Sequence, residues 1–419
     1  MLAFVNTAFI FICISLFGLV NFTSDRILFG VNTLDFALVF INLLFIKFFI
    51  EKKSFNQMVT SKPGKYFFYI YIFVLFVVVT MPLRGDTGVV SSLMVARDFL
   101  ILPIAFLICY DISINKNANF YYRLFIFIGI FTSIQIIINA ISPKLINTLF
   151  SHVTAEEKLK HSLQRNYFRS KSMLFPHLCV LLVFFTMIRN GISKKKIILF
   201  FVFLLASGLQ GFRSYFIALL FFIGAYFLSN IKRRFVKRFI VITIFLIPVV
   251  YIADNIFLKS QITNKFITAS IDVDEDKEKG NTLKGRYERD QLNLIPRFLE
   301  KPFLGWGFIH YSSDYGKQIG LKSRKMSDRE DGLYSIDSGY LTMLMYFGGI
   351  GLVIFIVIYL LFIYYLKKMF KSSVLPFIVI GFSLVLILSL ITHGGFYSDF
   401  GLLPLSISVG FVMGILISK

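Results

Sequence analysis

The chain has 419 residues, of which 57% are hydrophobic and 16% are charged. Soluble proteins carry about 25% charged residues, so this composition excludes an ordinary soluble domain and indicates a chain surrounded largely by lipid. The formal net charge of +21 would suggest a nucleic-acid partner in a soluble protein, but in a membrane protein it records where the loops lie. We therefore expect no nucleic-acid partner.

Long apolar segments follow one another along most of the chain. A bilayer core about 30 Å thick requires roughly 20 mostly apolar residues for each helix. This length criterion predicts an all-α polytopic membrane protein with about 12 transmembrane helices. In chain order the predicted spans are 3–22, 27–50, 66–82, 91–110, 121–141, 173–189, 197–211, 214–230, 239–254, 338–366, 374–392 and 400–417. Helices 1–9 thus occupy residues 1–254, a long loop occupies 255–337, and helices 10–12 occupy 338–419.

Basic residues are concentrated on one side of the predicted bundle. With both termini in the cytoplasm, the inner segments hold 20 Lys and Arg residues but only two acidic residues, Glu51 and Asp111. Such an excess of basic residues over short loops marks the cytoplasmic side of a membrane protein. The sequence therefore predicts that both termini are cytoplasmic.

Two predicted outer loops are too long to be simple connections, and long loops are where function concentrates. The loop 142–172 has six basic and two acidic residues, which predicts an anionic ligand outside the membrane unless these are merely solvated side chains. The loop 255–337 has 14 basic and 13 acidic residues, so individual side chains would have to carry any binding there. Helical spacing of its apolar residues near 292–299 predicts an amphipathic helix on the membrane or the bundle.

Ionisable residues at membrane depth are costly and are functional candidates by default. Arg97 and Asp98 lie in the fourth predicted span, and Arg213 lies in the tight outer connection between the seventh and eighth. A guanidinium can chelate two phosphate oxygens at once. The alternatives are that Arg97 pairs with Asp98 or extends to the surface, and that Arg213 anchors a helix end to lipid phosphates.

Signals for a metal or a nucleotide are missing from the sequence. No two of the five histidines have a metal-ligand spacing, the three cysteines have no paired spacing, and no Gly-rich phosphate loop is followed by a Lys. We therefore expect no metal and no cofactor. Energy for work outside the membrane would come from an ion gradient or from an activated substrate.

Several motifs in the second half of the chain occur in a characteristic order. Gly285-Arg286 opens a helical stretch, Pro302-Phe303-Leu304-Gly305-Trp306-Gly307 follows, and Asp337-Ser338 precedes a Gly-rich helix start at Gly348-Gly349-Ile350-Gly351. This set resembles the Wzy-type O-antigen polymerase and O-antigen ligase superfamily. The segment Gly208–Ser214, with its Arg213, is similar to the outer Arg-bearing turn of that superfamily.

The resemblance implies a GT-C-like membrane glycosyltransferase in the bacterial inner membrane, active at the periplasmic face. Its donor and acceptor would be undecaprenyl-pyrophosphate-linked oligosaccharides, joined by inverting, metal-independent glycosyl transfer. Ligases of the superfamily carry a His where this chain has Ser335-Ile336-Asp337-Ser338, so the resemblance favours a polymerase. A chain-length regulator protein is a candidate partner, in addition to membrane lipid.

The chemistry of glycosyl transfer assigns roles to particular residues. Breaking a sugar–pyrophosphate bond develops negative charge on the leaving group, so the site requires fixed cations and a base for the acceptor hydroxyl. Arg213 and Arg286, with Arg97 and Arg289, are the predicted pyrophosphate-binding residues. Asp337 is the predicted catalytic base, although it could instead cap the tenth helix.

Two other functions compete with the polymerase. The first is an O-antigen ligase that transfers glycan to a lipid A-core acceptor. The second is a flippase or secondary transporter for lipid-linked oligosaccharides, which would place ionisable residues at the bilayer midplane and would show internal repeats with broken helices.

Overall fold

The structure, a computed structural model, describes residues 33–84, 88–141, 174–209, 213–230, 295–309, 339–371, 373–390 and 399–418. All regular secondary structure in these ranges is helical, as the sequence predicts. We number the helices α1 (Thr33–Glu51), α2 (Lys53–Thr60), α3 (Lys62–Val79), α4 (Met81–Arg84), α5 (Val89–Ala96), α6 (Ile104–Asn115), α7 (Ala118–Ile141), α8 (Phe175–Asn190), α9 (Lys194–Leu209), α10 (Arg213–Asn230), α11 (Ile295–Glu300), α12 (Gly339–Met369), α13 (Pro376–Ser389) and α14 (Asp399–Ile417).

Several of these helices can cross a membrane. Within the described ranges, four helical segments are long and apolar enough to do so, and they are Lys62–Leu83, Val89–Asn115, Ala118–Ile138 and Gly339–Met369. Four shorter apolar helices accompany them: Phe175–Asn190, Ser214–Tyr226, Pro376–Ser389 and Gly401–Ile417. The protein is thus an all-helical, multi-pass membrane protein. Helices occur at ten of the twelve predicted spans, whereas 3–22 and 239–254 lie outside the described residues.

The bundle has two chemically different ends. At the end that we call the lysine end, Tyr66 of α3 stacks on Tyr365 of α12 with ring centroids 5.1 Å apart, so these two helices are antiparallel. Lysines from α3, α9 and α12 gather there, and they are Lys62, Lys65, Lys196, Lys367 and Lys368. The opposite end, which we call the loop end, holds the end of α3, the start of α12 and residues 301–309.

Close packing in the centre depends on small residues. Helix α14 lies against α6 through Gly410 and Gly414, where an added Cβ would come within 2.5 Å of the Ala105 carbonyl oxygen and 2.8 Å of Ile112 Cβ. Two glycines spaced four residues apart let membrane helices approach with their backbones nearly in contact. The last helix is therefore held in the interior, and residues 401–414 are all buried.

Two predicted spans are interrupted in the structure. The fourth span, predicted as continuous over 91–110, consists of α5, a 3-10 segment at Arg97–Ile101 and α6, because Pro103 lacks the N–H that a continuous α-helix would use. The tenth span is broken at Gly348, which has φ 68° and ψ 178°. The part of α12 after this break is about 30 Å long, which is sufficient to cross the bilayer core alone.

Candidate functional site

The two Gly-rich motifs of the second half bind each other through their backbones. Normally the N–H groups of Gly349 and Ile350 would donate to carbonyls four residues earlier in α12. They donate instead to the carbonyls of Pro302 and Phe303, at 2.7 and 3.2 Å. Segment 301–309 thus supplies the partners that the break in α12 removes.

The exchange is reciprocal. The carbonyl of Met345, which a continuous helix would pair with Gly349, accepts from the N–H of Trp306 at 2.7 Å and of Gly307 at 3.3 Å. A buried backbone N–H or carbonyl that loses its partner within the helix needs another hydrogen-bond partner. Here each motif supplies such partners for the other. We call residues 301–309 together with 345–350 the clip.

Glycine is required at the centre of the clip for both space and conformation. Gly305 and Gly348 have φ of 66° and 68°, in the left-handed region. A Cβ on Gly348 would lie 2.3 Å from the nitrogen of Gly305, and one on Gly305 would lie 2.4 Å from the nitrogen of Gly348. The close approach of Gly305 and Gly348 therefore explains one glycine in each of the two motifs that resemble the polymerase and ligase superfamily.

Aromatic side chains connect the clip to the interrupted fourth span. The ring of Phe308 is fully buried, 6.0 Å from that of Phe99 and 4.8 Å from that of Tyr346. Trp306 forms a separate small cluster with Met81 and Ile309, and the Lys301 ammonium lies 4.4 Å from the centre of its ring. Neither Phe99 nor Met81 is a predicted site residue, although Phe99 lies two residues after Arg97.

The structure places the predicted site residue Arg97 in the 3-10 segment that this packing holds. Its Nε lies 3.4 Å from Oδ1 of Asp98, with 42% of the Arg97 side chain and 21% of the Asp98 side chain exposed. The pairing that the sequence analysis gave as an alternative is thus present. The guanidinium is nearly half exposed, and an arginine side chain at such a position can bind an anion by charge-assisted hydrogen bonds.

The remaining predicted site residues are described only in part or not at all. Arg213 is the first residue of α10, and its side chain lies outside the described part. Two residues later, Tyr215 is fully buried with its ring 6.2 Å from that of His177, which is also fully buried. Asp337, Arg286 and Arg289 lie outside the described residues, as does the basic loop 142–172.

A metal site is not formed in the part of the chain that the structure describes, since no three His, Cys, Asp or Glu side chains meet there. The two cysteines of that part, Cys109 and Cys179, are free and buried. The described groups at the loop end include the Arg97–Asp98 pair, Lys301 over the indole of Trp306 and several aromatic rings. Such groups can bind an anionic or sugar-bearing ligand by charge and stacking.

These features define a multi-pass helical membrane protein with an interrupted span and a Gly-rich clip at one end. Residues 197–356 match the profile of the O-antigen ligase family, Wzy_C. The match confirms the resemblance to the O-antigen ligase and polymerase superfamily, whose members are membrane glycosyltransferase-like enzymes acting on lipid-linked saccharides. It includes the whole clip and the start of α10. No curated protein matches the chain.

Proposed function

We propose that the protein is an O-antigen or related surface-polysaccharide polymerase. It joins undecaprenyl-pyrophosphate-linked oligosaccharide repeat units at the periplasmic face of the bacterial inner membrane. The observation that carries the proposal is the clip, because it holds the motifs of the superfamily beside the Arg97-bearing segment. The proposed frame has about 12 spans in a GT-C-like arrangement, with both termini in the cytoplasm.

In the proposed reaction the growing glycan leaves one lipid pyrophosphate and joins a hydroxyl of the incoming unit. Arg97, Arg213, Arg286 and Arg289 stabilise the negative charge that develops on the pyrophosphate. Asp337 accepts the proton of the attacking hydroxyl, which approaches opposite the leaving group and so inverts the anomeric centre. The basic loop 142–172 binds the second pyrophosphate-linked or acidic chain. A chain-length regulator protein is a candidate partner of the polymerase.

The ligase is the second candidate, because the matching family is described as O-antigen ligase. Its acceptor would be the lipid A-core instead of another repeat unit. The Ser335-Ile336-Asp337-Ser338 sequence, which has no His, favours the polymerase. The two functions differ in which products survive when the site is damaged, so one experiment separates them.

The test is the length distribution of surface polysaccharide in cells that carry wild type, Arg97→Ala, Arg213→Ala or Arg286→Ala, with equal expression verified. Arg189→Ala is the matched control, because Arg189 is an exposed arginine in the last turn of α8, whose C-terminal end lies at the lysine end. A polymerase predicts loss of long chains with survival of single repeat units on the lipid core. Loss of every repeat unit indicates a ligase or flippase, and unchanged long chains contradict the assigned arginines.

A further inference from the structure

The interruption of the fourth span leaves one backbone carbonyl without its usual partner. In the 3-10 geometry of Arg97–Ile101, the carbonyl of Leu100 would accept from the residue three positions later. That residue is Pro103, which has no N–H. This carbonyl is partly buried, so a donor from elsewhere in the bundle stabilises it.

The donor comes from the first described span. The side-chain amide nitrogen of Asn42, in α1, donates to the Leu100 carbonyl at 2.9 Å and to the carbonyl of Leu38 in its own helix at 2.7 Å. The hydroxyl of Tyr71, in α3, donates to the Asn42 amide oxygen at 2.6 Å. Both N–H groups and the oxygen of the amide are therefore engaged, which fixes its orientation.

We call the hydrogen bonds from Tyr71 to Asn42 and from Asn42 to the Leu100 carbonyl the relay. The relay acts on the segment that carries Arg97. Residues three apart in a 3-10 helix lie one above the other, so Leu100 and Arg97 share an edge of the segment. Asn42 holds that segment at Leu100, while Phe308 of the clip holds it at Phe99. The two contacts together fix the rotation of the segment relative to the clip, and with it the direction of the Arg97 side chain.

We infer that Asn42 and Tyr71 are positioning residues that hold the Arg97–Asp98 pair at the candidate site. Only the expected effect of Asn42 substitution on activity rests on the proposed function. The exposure of residue 97 can be measured separately. An apolar residue at position 42 would pack in the same place, yet the Leu100 carbonyl would lose its donor. The segment would then keep only its apolar packing, which includes Phe99 against Phe308 and Phe347.

The first measurement is structural and independent of activity. Arg97→Cys is introduced together with Cys13→Ala, and the rate of alkylation by N-ethylmaleimide is followed by mass in purified protein. Cys109 and Cys179 are buried and react slowly. We expect Asn42→Leu to raise the rate at position 97 by about two- to fivefold, because the partly exposed side chain becomes more accessible when its segment loses one anchor.

The matched control removes a comparable hydroxyl elsewhere in the bundle. Tyr359 of α12 is buried and donates to Ser383 of α13, so Tyr359→Phe loses one interhelical hydrogen bond without touching the relay. It should leave the rate at position 97 unchanged. Tyr71→Phe should give an intermediate increase, because Asn42 keeps its bond to Leu100. An unchanged rate in Asn42→Leu would overturn the inference.

The second measurement asks whether Asn42 acts through Arg97. We expect Asn42→Leu to shorten the surface polysaccharide in an otherwise wild-type chain but to add nothing in an Arg97→Ala background, because residues that act as a unit are not additive. Additive losses would mean that Asn42 serves the fold alone and would overturn the inference. A raised alkylation rate with unchanged polysaccharide in both Asn42→Leu and Arg97→Ala would support the positioning of residue 97 while contradicting the proposed role of Arg97.

Discussion

At the scale of single residues, the clip depends on positions where any side chain would disturb two backbones at once. Gly348 meets both requirements for glycine, since its φ is positive and its missing Cβ makes room for the Gly305 nitrogen and the Phe303 carbonyl oxygen. Its neighbour Gly349 has ordinary φ, and a Cβ there would lie 3.3 Å from the Pro302 carbonyl oxygen. Gly349 can thus accept a side chain much more readily than Gly348.

We expect Gly348→Ala to detach segment 301–309 from α12. The left-handed conformation alone costs an alanine roughly 1–2 kcal/mol, and the contact with Gly305 adds to this. The emission of Trp306, the only tryptophan of the chain, should move to longer wavelength as its cluster with Met81 opens. Gly349→Ala is the control and should keep the wild-type emission. The same spectrum in both variants would contradict the structure of the clip.

At the scale of elements, the contact between α6 and α14 holds the last helix inside the bundle. Its closest point is Gly410 against the Ala105 carbonyl oxygen. We expect Gly410→Ala to lower the midpoint of thermal unfolding in detergent by several degrees, because rigid backbone cannot yield to the added methyl group. Gly224→Ala in α10 meets nothing within 4 Å and should be neutral or slightly stabilising. Equal midpoints for the two variants would disprove this packing.

The sequence predicts helices well and their interruptions poorly. Span limits such as 214–230 and 400–417 agree closely with α10 and α14, because a run of apolar residues is a local signal. The break at Arg97–Ile101 follows from Pro103, a local signal that a search for apolar runs overlooks. The partners that accommodate this break and the one at Gly348, namely Asn42 and Pro302, are distant in the sequence. Such partners are set by tertiary packing, which no local pattern contains.

The motifs of the candidate site could be predicted from the sequence, but the contacts between them could not. The order of the Gly-rich motifs identified the superfamily, and these motifs include Gly305 and Gly348, whose positive φ and close approach require glycine. The proximity of Arg97 to this segment could not be read from the sequence, because more than 200 residues separate Phe99 from Phe308. The roles of Arg213, Arg286, Arg289 and Asp337 stay predictions.

At the scale of the whole molecule, the two ends of the bundle differ in charge in the way that sets orientation. The lysine end should face the cytoplasm, and the loop end, with the clip and Arg97, should face the periplasm. Two exposed positions report on this directly. Gly88, just before α5, is at the loop end and meets nothing within 4 Å, and Asn190 ends α8 at the lysine end.

We expect a charged, membrane-impermeant thiol reagent to label Gly88→Cys in intact cells and to label Asn190→Cys only after the inner membrane is opened. Each variant is made in the Cys13→Ala background, and that background alone is the control, because Cys109 and Cys179 are buried. Labelling in the reverse order would place the clip in the cytoplasm. The proposed polymerase joins lipid-linked repeat units on the periplasmic side. Labelling in the reverse order would therefore contradict the proposed function as well as the orientation.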